Sequence, residues 1–224
     1  MLLPEKFLKW AYFERVKFVK SFLLGGRRMD KSGFIESTRH TPALCTARLT
    51  DDGKIFVNAK IVGAGFVPKK EFLSEAIKDF REHVYSCENI SPREYAVRGV
   101  KLLLKHVYFE DEKEAYRRMD FSKISTLEIA KDIPHSSKHT WTNLQYCKSA
   151  CLLYYMPPSI SFELHGTIEI HLDGLYFEFV NLVHDAFHYA PASKRVKRPC
   201  LIFNVESVYD NSPTRDGFGL LLTG

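Results

Sequence analysis

The chain has 224 residues, 45% of them hydrophobic and 26% charged, a composition that predicts one globular domain with a full core and excludes intrinsic disorder. No apolar run approaches the roughly 20 residues that cross a bilayer, so no transmembrane helix is predicted. The net charge of +5 comes from 32 basic and 27 acidic residues that are interleaved, which favours an anionic ligand only slightly.

The first predicted element is an amphipathic helix over Met1–Leu24, with apolar residues on one side and lysines spread over the other. Such a helix suits packing on the domain or on a partner subunit. A membrane-surface helix and a targeting presequence are alternatives, although Glu5 and Glu14 argue against the presequence. We assign residues 1–28 to this helix and residues 29–224 to a single domain.

A β-hairpin follows, with strands over Ala43–Thr50 and Lys54–Gly65. The Asp51-Asp52-Gly53 segment between them tolerates the positive φ of a tight turn.

Helical spacing begins at Val67 and continues to Asp120. The segment Ser91-Pro92-Arg93-Glu94 is a capping box with proline at the first helical position, and it predicts a helix start. A second capping box, Ser125-Thr126-Leu127-Glu128, predicts a short helix that Pro134 ends. We therefore predict a helical insertion over about residues 67–133.

Three strands and a helix are predicted in the last third of the chain. Ala150–Tyr155 is a buried strand, and Ser159–Leu172 is a long alternating strand with a bend at Gly166. Leu175–His188 is an apolar helix, and Cys200–Tyr209 is the final strand. Antiparallel strands with helices in the long connections predict an α+β fold with a closed or half-closed barrel.

Five cysteines are scattered along the sequence: Cys45, Cys87, Cys147, Cys151 and Cys200. Their number is odd, and most lie in apolar segments where a reduced cysteine acts as a small hydrophobe. We therefore expect a reducing compartment and a cytoplasmic location. The spacing of four between Cys147 and Cys151 is wider than CxxC, so a structural zinc site is not predicted.

Two histidines provide a candidate metal site. His184 and His188 are one helical turn apart, so both imidazoles can reach one metal ion. A zinc site needs a third ligand, which His165 or His171 could supply, and Asp185 would act as the acid-base residue. The alternative is a packed helix whose histidines lie at its rim.

The remaining motifs give weaker signals. The basic run from Lys194 to Arg198 could contact RNA or acidic lipid, but such runs are usually solvated loops, so no strong nucleic-acid signal is present. Walker A, nucleophile-elbow and dinucleotide-binding motifs are absent from the sequence.

The loop Ser136–Thr140, followed by Trp141 and Asn143, is the strongest binding signal. A lysine supplies charge to a phosphate, hydroxyl groups donate short hydrogen bonds, and backbone N–H groups at a helix start add more. The alternative is a polar loop that only caps a helix.

Four segments together resemble one known family. They are Ala43–Val62, Ser137–Tyr155, Ser161–Gly174 and Leu201–Asn211. Their order and motifs resemble the FMN-binding split-barrel family, which includes pyridoxamine-phosphate-oxidase-like proteins and flavin reductases. The resemblance covers about half the chain, and the helical insertion stands where the family has a short connection.

The resemblance implies an antiparallel split β-barrel with a helical insertion and an N-terminal helix, and FMN as the cofactor. It implies that Lys138 binds the phosphate with Ser136, Ser137 and Thr140 beside it, and that Asn143 opens the helix. Asn58 or Lys60 would face the isoalloxazine or the phosphate. It also implies a homodimer with FMN at the interface.

The leading hypothesis is therefore a flavin-dependent oxidoreductase or reductase that takes a small-molecule substrate or electron donor. One alternative is a non-enzymatic β-rich binding or scaffold domain that docks a protein partner. The other is a metal-dependent hydrolase that uses His184 and His188.

Overall fold

The computed structural model describes residues 1–24, 31–86, 90–188, 195 and 197–222. The predicted boundary at residue 28, Cys87 and part of the basic run 194–198 lie outside the described residues. The helices are α1 (Glu5–Leu8), α2 (Glu14–Ser21), α3 (Lys31–Ser37), α4 (Lys70–Ser86), α5 (Pro92–His106), α6 (Glu112–Arg118), α7 (His139–Tyr146) and α8 (Gly174–His188). The strands are β1 (Ala43–Leu49), β2 (Ile55–Ile61), β3 (Gly65–Pro68), β4 (Met119–Leu127), β5 (Ser149–Met156), β6 (Ile160–His171), β7 (Cys200–Asp210) and β8 (Leu220–Leu222).

The N-terminal helical segment, residues 5–24, is part of the core. A π-helical turn at Lys9–Phe13 joins α1 to α2, and a 3-10 turn at Phe22–Leu24 ends the segment. The ring of Phe7 meets Phe162 edge-on at 5.3 Å. The hydroxyl of Tyr12 donates to the Val107 carbonyl at 2.8 Å and accepts from the Phe109 N–H at 2.9 Å. The segment therefore joins the barrel to the helical insertion.

The sheet is antiparallel and rolled. Its strands lie in the order β2-β1-β5-β6-β7-β4-β3, with β8 paired to β7. The edge strands β2 and β3 are joined only by residues 62–64, so the sheet must curl until its edges meet. The edges do not pair with each other in the described residues, so the barrel is open. The predicted α+β split-barrel fold with a helical insertion and an N-terminal helix is confirmed.

Three local predictions are confirmed in detail. Gly53 has a φ of +78° in the turn between β1 and β2. The Ser91 side chain accepts from the Glu94 N–H at 3.2 Å, which caps α5. At Gly166 the register of β6 shifts, and an added Cβ would lie 2.0 Å from the Asn204 carbonyl oxygen. Only glycine fits this close approach between strands.

The predicted short helix between Ser125 and Pro134 is wrong, because Ser125, Thr126 and Leu127 belong to β4 and residues 128–134 form no helix. Ser125 pairs with Gly65 of β3 on one side and with Ile202 of β7 on the other. These partners are distant in sequence, and pairing with them overrides the local capping pattern. The helical insertion therefore ends at Arg118. None of the helices in the described part of the chain has the length and apolarity that a bilayer span requires.

Candidate functional site

A cavity of about 700 Å³ lies beside the place where the two sheet edges meet. Its walls are the N-terminal helical segment, residues 61–66, the end of β4, and helices α5 and α8. Small-molecule sites in proteins usually measure roughly 300 to 1,000 Å³ and are mostly apolar with a few polar groups. The polar side chains on the walls are Arg15, Ser37, His40, Thr41, Lys60, Tyr108, Ser125, Thr126, His184 and His188.

Most of the cavity wall is apolar. Phe18 and Phe22 approach from the N-terminal helical segment, and Leu103 comes from α5. Val183 and Phe187 come from α8, whose apolar run was predicted as a buried helix. Aromatic and branched aliphatic walls of this kind suit a flat, largely apolar ligand.

Lys60 gives the cavity a polar edge on the barrel side. Its amine donates to both carboxylate oxygens of Glu128, at 2.7 and 2.8 Å. Glu128 is 1% exposed and also accepts from the Ala130 N–H at 3.0 Å, so its charge is satisfied. Beside this pair, the buried hydroxyl of Thr126 has no hydrogen-bond partner among the described residues. A buried hydroxyl without a protein partner, on a residue that lines a cavity, is a candidate hydrogen-bonding group for a ligand.

Arg15 lies on the opposite, helical wall and is 7% exposed. Its Nε donates to the Tyr108 hydroxyl at 2.8 Å, and its Nη1 lies 2.6 Å from Nδ1 of His40. Among the described residues no carboxylate comes within 4.0 Å of this guanidinium. Burial, the Arg15 charge and His188 lower the pKa of His40 to about 3, against a hydrogen bond to the Ser37 carbonyl that raises it. The pair thus carries one positive charge, on Arg15.

His184 and His188 lie at the α8 wall, with ring centroids 4.5 Å apart. The His184 Nδ1 is 3.2 Å from Asp185, which also lies 3.6 Å from Arg198. Burial, followed by His184 and Arg198, lowers the pKa of His188. These contacts are those of a polar rim on a packed helix.

His165 is not close to those two histidines. It lies on the outer face of β6, where its Nε2 contacts Glu163 at 2.5 Å and its ring meets Tyr209. One ring nitrogen of His165, the Cys151 sulfur and a Glu163 carboxylate oxygen lie within 4.8 Å of one another. In the described part of the chain the candidate zinc ligands His184, His188 and His165 do not form a group within 4.8 Å of one another, and His171 contacts Glu169.

The predicted flavin residues on β2 lie on one face of that strand. Phe56, Asn58 and Lys60 alternate with exposed residues and face inward. The Asn58 amide donates to the Thr140 hydroxyl at 2.8 Å, and Phe56 stacks edge-on against His139 at 5.0 Å. The start of α7 is therefore next to Asn58, and Lys60 at the cavity is two residues further along β2.

The loop residues lie at the start of α7 and do not line the cavity. Lys138 is half-buried at the N-cap with a φ of 54°, and its N–H donates to the Ser136 hydroxyl at 3.2 Å. Its amine has no hydrogen bond or ion pair within the described ranges. Ser137 is exposed. Of the predicted flavin-binding residues, Lys60 therefore lies at the cavity. The loop residues around Lys138 lie at the N-terminus of α7 instead.

Asn143 does not open the helix, because α7 already begins at His139. It is fully buried, and its amide donates to the carbonyl and hydroxyl oxygens of Thr46 at 3.1 and 3.2 Å. It therefore attaches α7 to β1. The sequence could not show this, because the contact joins residues 97 positions apart.

Sequence reasoning missed Arg15, His40, Tyr108 and Thr126. A signal for Arg15 was present: it follows Ala11 by four residues and precedes Val19 by four, so it stands in the buried stripe of the helix. A charged residue within an apolar stripe is unusual. For Thr126, the wrong helix prediction hid the signal.

No family model and no curated protein matches this sequence. The solved structures it resembles include an FMN-binding protein from Syntrophomonas wolfei, with 12% identity and a TM-score of 0.41, covering 90% of this chain and 95% of that one. HupZ of Group A Streptococcus has 10% identity and a TM-score of 0.39, over 84% and 93% of the two chains. An F420 reductase has 13% identity and a TM-score of 0.36, over 75% and 88%.

The TM-scores are all below 0.5 and the identities are all 13% or less, so these likenesses carry no argument. The function has to be inferred from the residues of this chain.

Proposed function

We propose that this chain binds a flavin in the cavity and acts as a flavin-dependent oxidoreductase or reductase. The observation that carries this proposal is the cavity itself: an apolar space of about 700 Å³ with Lys60 and an unpartnered Thr126 hydroxyl on one edge. These groups fit the polar edge of an isoalloxazine ring, where the protein tunes a flavin through hydrogen bonds and charge.

The inner face of β2 supports FMN in particular. Residues two apart on a strand lie about 6.8 Å apart, so Lys60, Asn58 and the start of α7 form a continuous path out of the cavity. A ring at Lys60 would extend its ribityl chain past Asn58. The phosphate would then lie at the N-terminus of α7, near Lys138, Ser136, Ser137 and Thr140.

In this proposal the flavin and the residues of the chain have different roles. A bound flavin supplies electron and hydride transfer. The residues of the chain bind and orient it: the α5 and α8 walls exclude water from the ring, and Lys60 and Thr126 hold its polar edge. A small-molecule substrate or electron donor would enter the same cavity. A cytoplasmic location is part of this proposal, since buried thiols such as Cys200 suit a reducing compartment.

We also propose that the protein is a homodimer. Ile55, Val57 and Ile61 on the outer face of β2 are 73, 65 and 70% exposed, and Leu49 of β1 beside them is 66% exposed. A contiguous apolar patch of this kind marks an interaction surface, and self-association needs only its own apolar complementarity. Light scattering should give twice the chain mass, and Val57→Lys should give the monomer. A wild-type monomer would contradict the proposal.

The flavin proposal is tested by titrating the protein with FMN and following quenching of flavin fluorescence. Val183→Trp fills the cavity from the α8 wall and should abolish saturable binding. Lys78→Trp adds the same side chain to an exposed site on α4 and should leave the affinity unchanged. Wild-type protein that stays colourless and binds no FMN would favour the non-enzymatic docking domain instead.

A further inference from the structure

We infer that Arg15 and Tyr108 form a binding site for the carboxylate of a second, largely apolar small molecule in the cavity. This inference deepens the proposed function and rests on it, because it names the substrate class that would lie against the flavin. The observation behind it is that the buried Arg15, on the helical wall of the cavity, has only neutral partners among the described residues.

Among the residues that the structure describes, Arg15 is a buried cation without an acidic partner. A buried ion is costly unless it is paired, and natural buried arginines are normally matched by carboxylates. The other charged groups on the cavity already have partners: Lys60 pairs with Glu128, and Arg198 beside the rim pairs with Asp185. Within the described ranges, Arg15 has only the neutral Tyr108 and His40 as partners. We therefore assign the missing negative charge to a ligand.

The two neutral partners hold the guanidinium in one orientation. Because Nη1 of Arg15 donates to Nδ1 of His40, the hydrogen of the neutral His40 ring is on Nε2. The role of His40 is to position Arg15.

Tyr108 adds a second donor beside the guanidinium. Its hydroxyl oxygen accepts from Arg15 Nε, so its own hydrogen is still available, and no acceptor for it occurs among the described residues. The remaining Arg15 N–H groups and the Tyr108 O–H together match the two oxygens of a carboxylate.

The single charge selects a monoanion. His40 is neutral, so the subsite carries one positive charge, which a carboxylate balances and a phosphate dianion would exceed. Phe18, Phe22 and Leu103 line the same cavity. The ligand is thus an acid with an apolar body, rather than a polar sugar or nucleotide.

The test uses two probes of the same shape, 1-naphthoate and 1-naphthalenemethanol, titrated calorimetrically into the full chain with and without saturating FMN. The wild type should bind the acid at least about tenfold more tightly than the alcohol, as expected for a charge-assisted contact. Arg15→Gln should abolish this preference, and Tyr108→Phe should reduce it. Lys17→Gln removes a charge from the exposed side of the same helix and should preserve it.

The outcomes separate this inference from the flavin proposal. Equal affinity of the wild type for both probes, or an unchanged preference in Arg15→Gln, would overturn the carboxylate site. Loss of FMN binding in Arg15→Gln would also overturn it, since Arg15 would then hold the flavin. A wild type that discriminates the probes but binds no FMN would refute the flavin and leave the carboxylate site standing. If circular dichroism shows that Arg15→Gln does not fold, the Tyr108→Phe variant is used instead. An unchanged preference for the acid in Tyr108→Phe would then overturn the carboxylate site.

Discussion

Arg15 and Arg39 are buried to nearly the same extent, with exposures of 7 and 6%, but their surroundings differ. Arg39 contacts Glu14 and Glu36 at 2.7 Å each, donates to the Trp10 carbonyl at 2.8 Å and lies over the Trp10 ring. Arg15 has a tyrosine hydroxyl and a neutral histidine, and it faces a cavity.

The difference shows that burial alone does not reveal the role of a charged residue. Where acids surround the cation, as at Arg39, the cluster stabilises the fold by joining the N-terminal helical segment to α3. Where the acid is missing and a cavity is present, as at Arg15, the cation is held for a ligand.

The largest expected effect is on stability. Arg39→Gln leaves two partly buried carboxylates without their cation and should lower the free energy of unfolding by about 3 kcal/mol. Arg15→Gln removes an uncompensated charge and should change it by less than about 1 kcal/mol. Urea unfolding followed by circular dichroism measures both. Equal losses of unfolding free energy in the two variants would mean that Arg15 stabilises the fold as Arg39 does. Arg15 would then not be held for a ligand.

The contrast extends to two lysines. Lys60 is paired with Glu128, whereas Lys138 has no acidic partner in the described part of the chain. Lys138→Ala should therefore leave stability unchanged but weaken FMN binding by about 1.5 to 3 kcal/mol, the magnitude of one charge-assisted contact. His188→Ala should leave FMN affinity nearly intact. Equal FMN affinity in wild type and Lys138→Ala would place the phosphate elsewhere.

A further expected effect is on the pH dependence of stability, and it concerns His40. Its pKa falls from 6.5 to about 3 on folding, so between those values only the unfolded state holds the proton. Stability should therefore fall as the pH falls below 6.5, by at most about 1.4 kcal/mol per pH unit from this group. Arg15 and His188 both lower this pKa, so Arg15→Gln should make the fall shallower.

Arg39→Gln is the control for that slope, because the Arg39 side chain is paired with Glu14 and Glu36 and is not among the groups that shift the pKa of His40. Unfolding free energies at pH 6.5 and pH 4 measure the slope in each protein. A slope that is the same in wild type and Arg15→Gln would show that Arg15 does not act on His40.

The sequence predicted elements whose signals are local. Gly53, Gly166 and the Ser91 cap each fix a backbone geometry within a few residues, and the hairpin, the bent strand and α5 follow from them. Strand β4 was missed because its partners are β3 and β7, so distant pairing decided its conformation.

The site was predicted only in part for the same reason. Lys60 and Asn58 were implied by the family resemblance, and they do lie on one face of β2. The cavity itself is built from α2, α5, α8 and the end of β4, and no local pattern brings these together. Arg15 could have been found as a charge in an apolar stripe, but its missing acid is visible only in three dimensions.

The central claim is that a flavin occupies the cavity beside Lys60 and Thr126. Native mass spectrometry of the wild type and Val183→Trp, each incubated with FMN, tests it most directly. The account predicts one FMN per chain on the wild type and none on the variant. Bare wild-type protein, or equal FMN loading of both proteins, would contradict it.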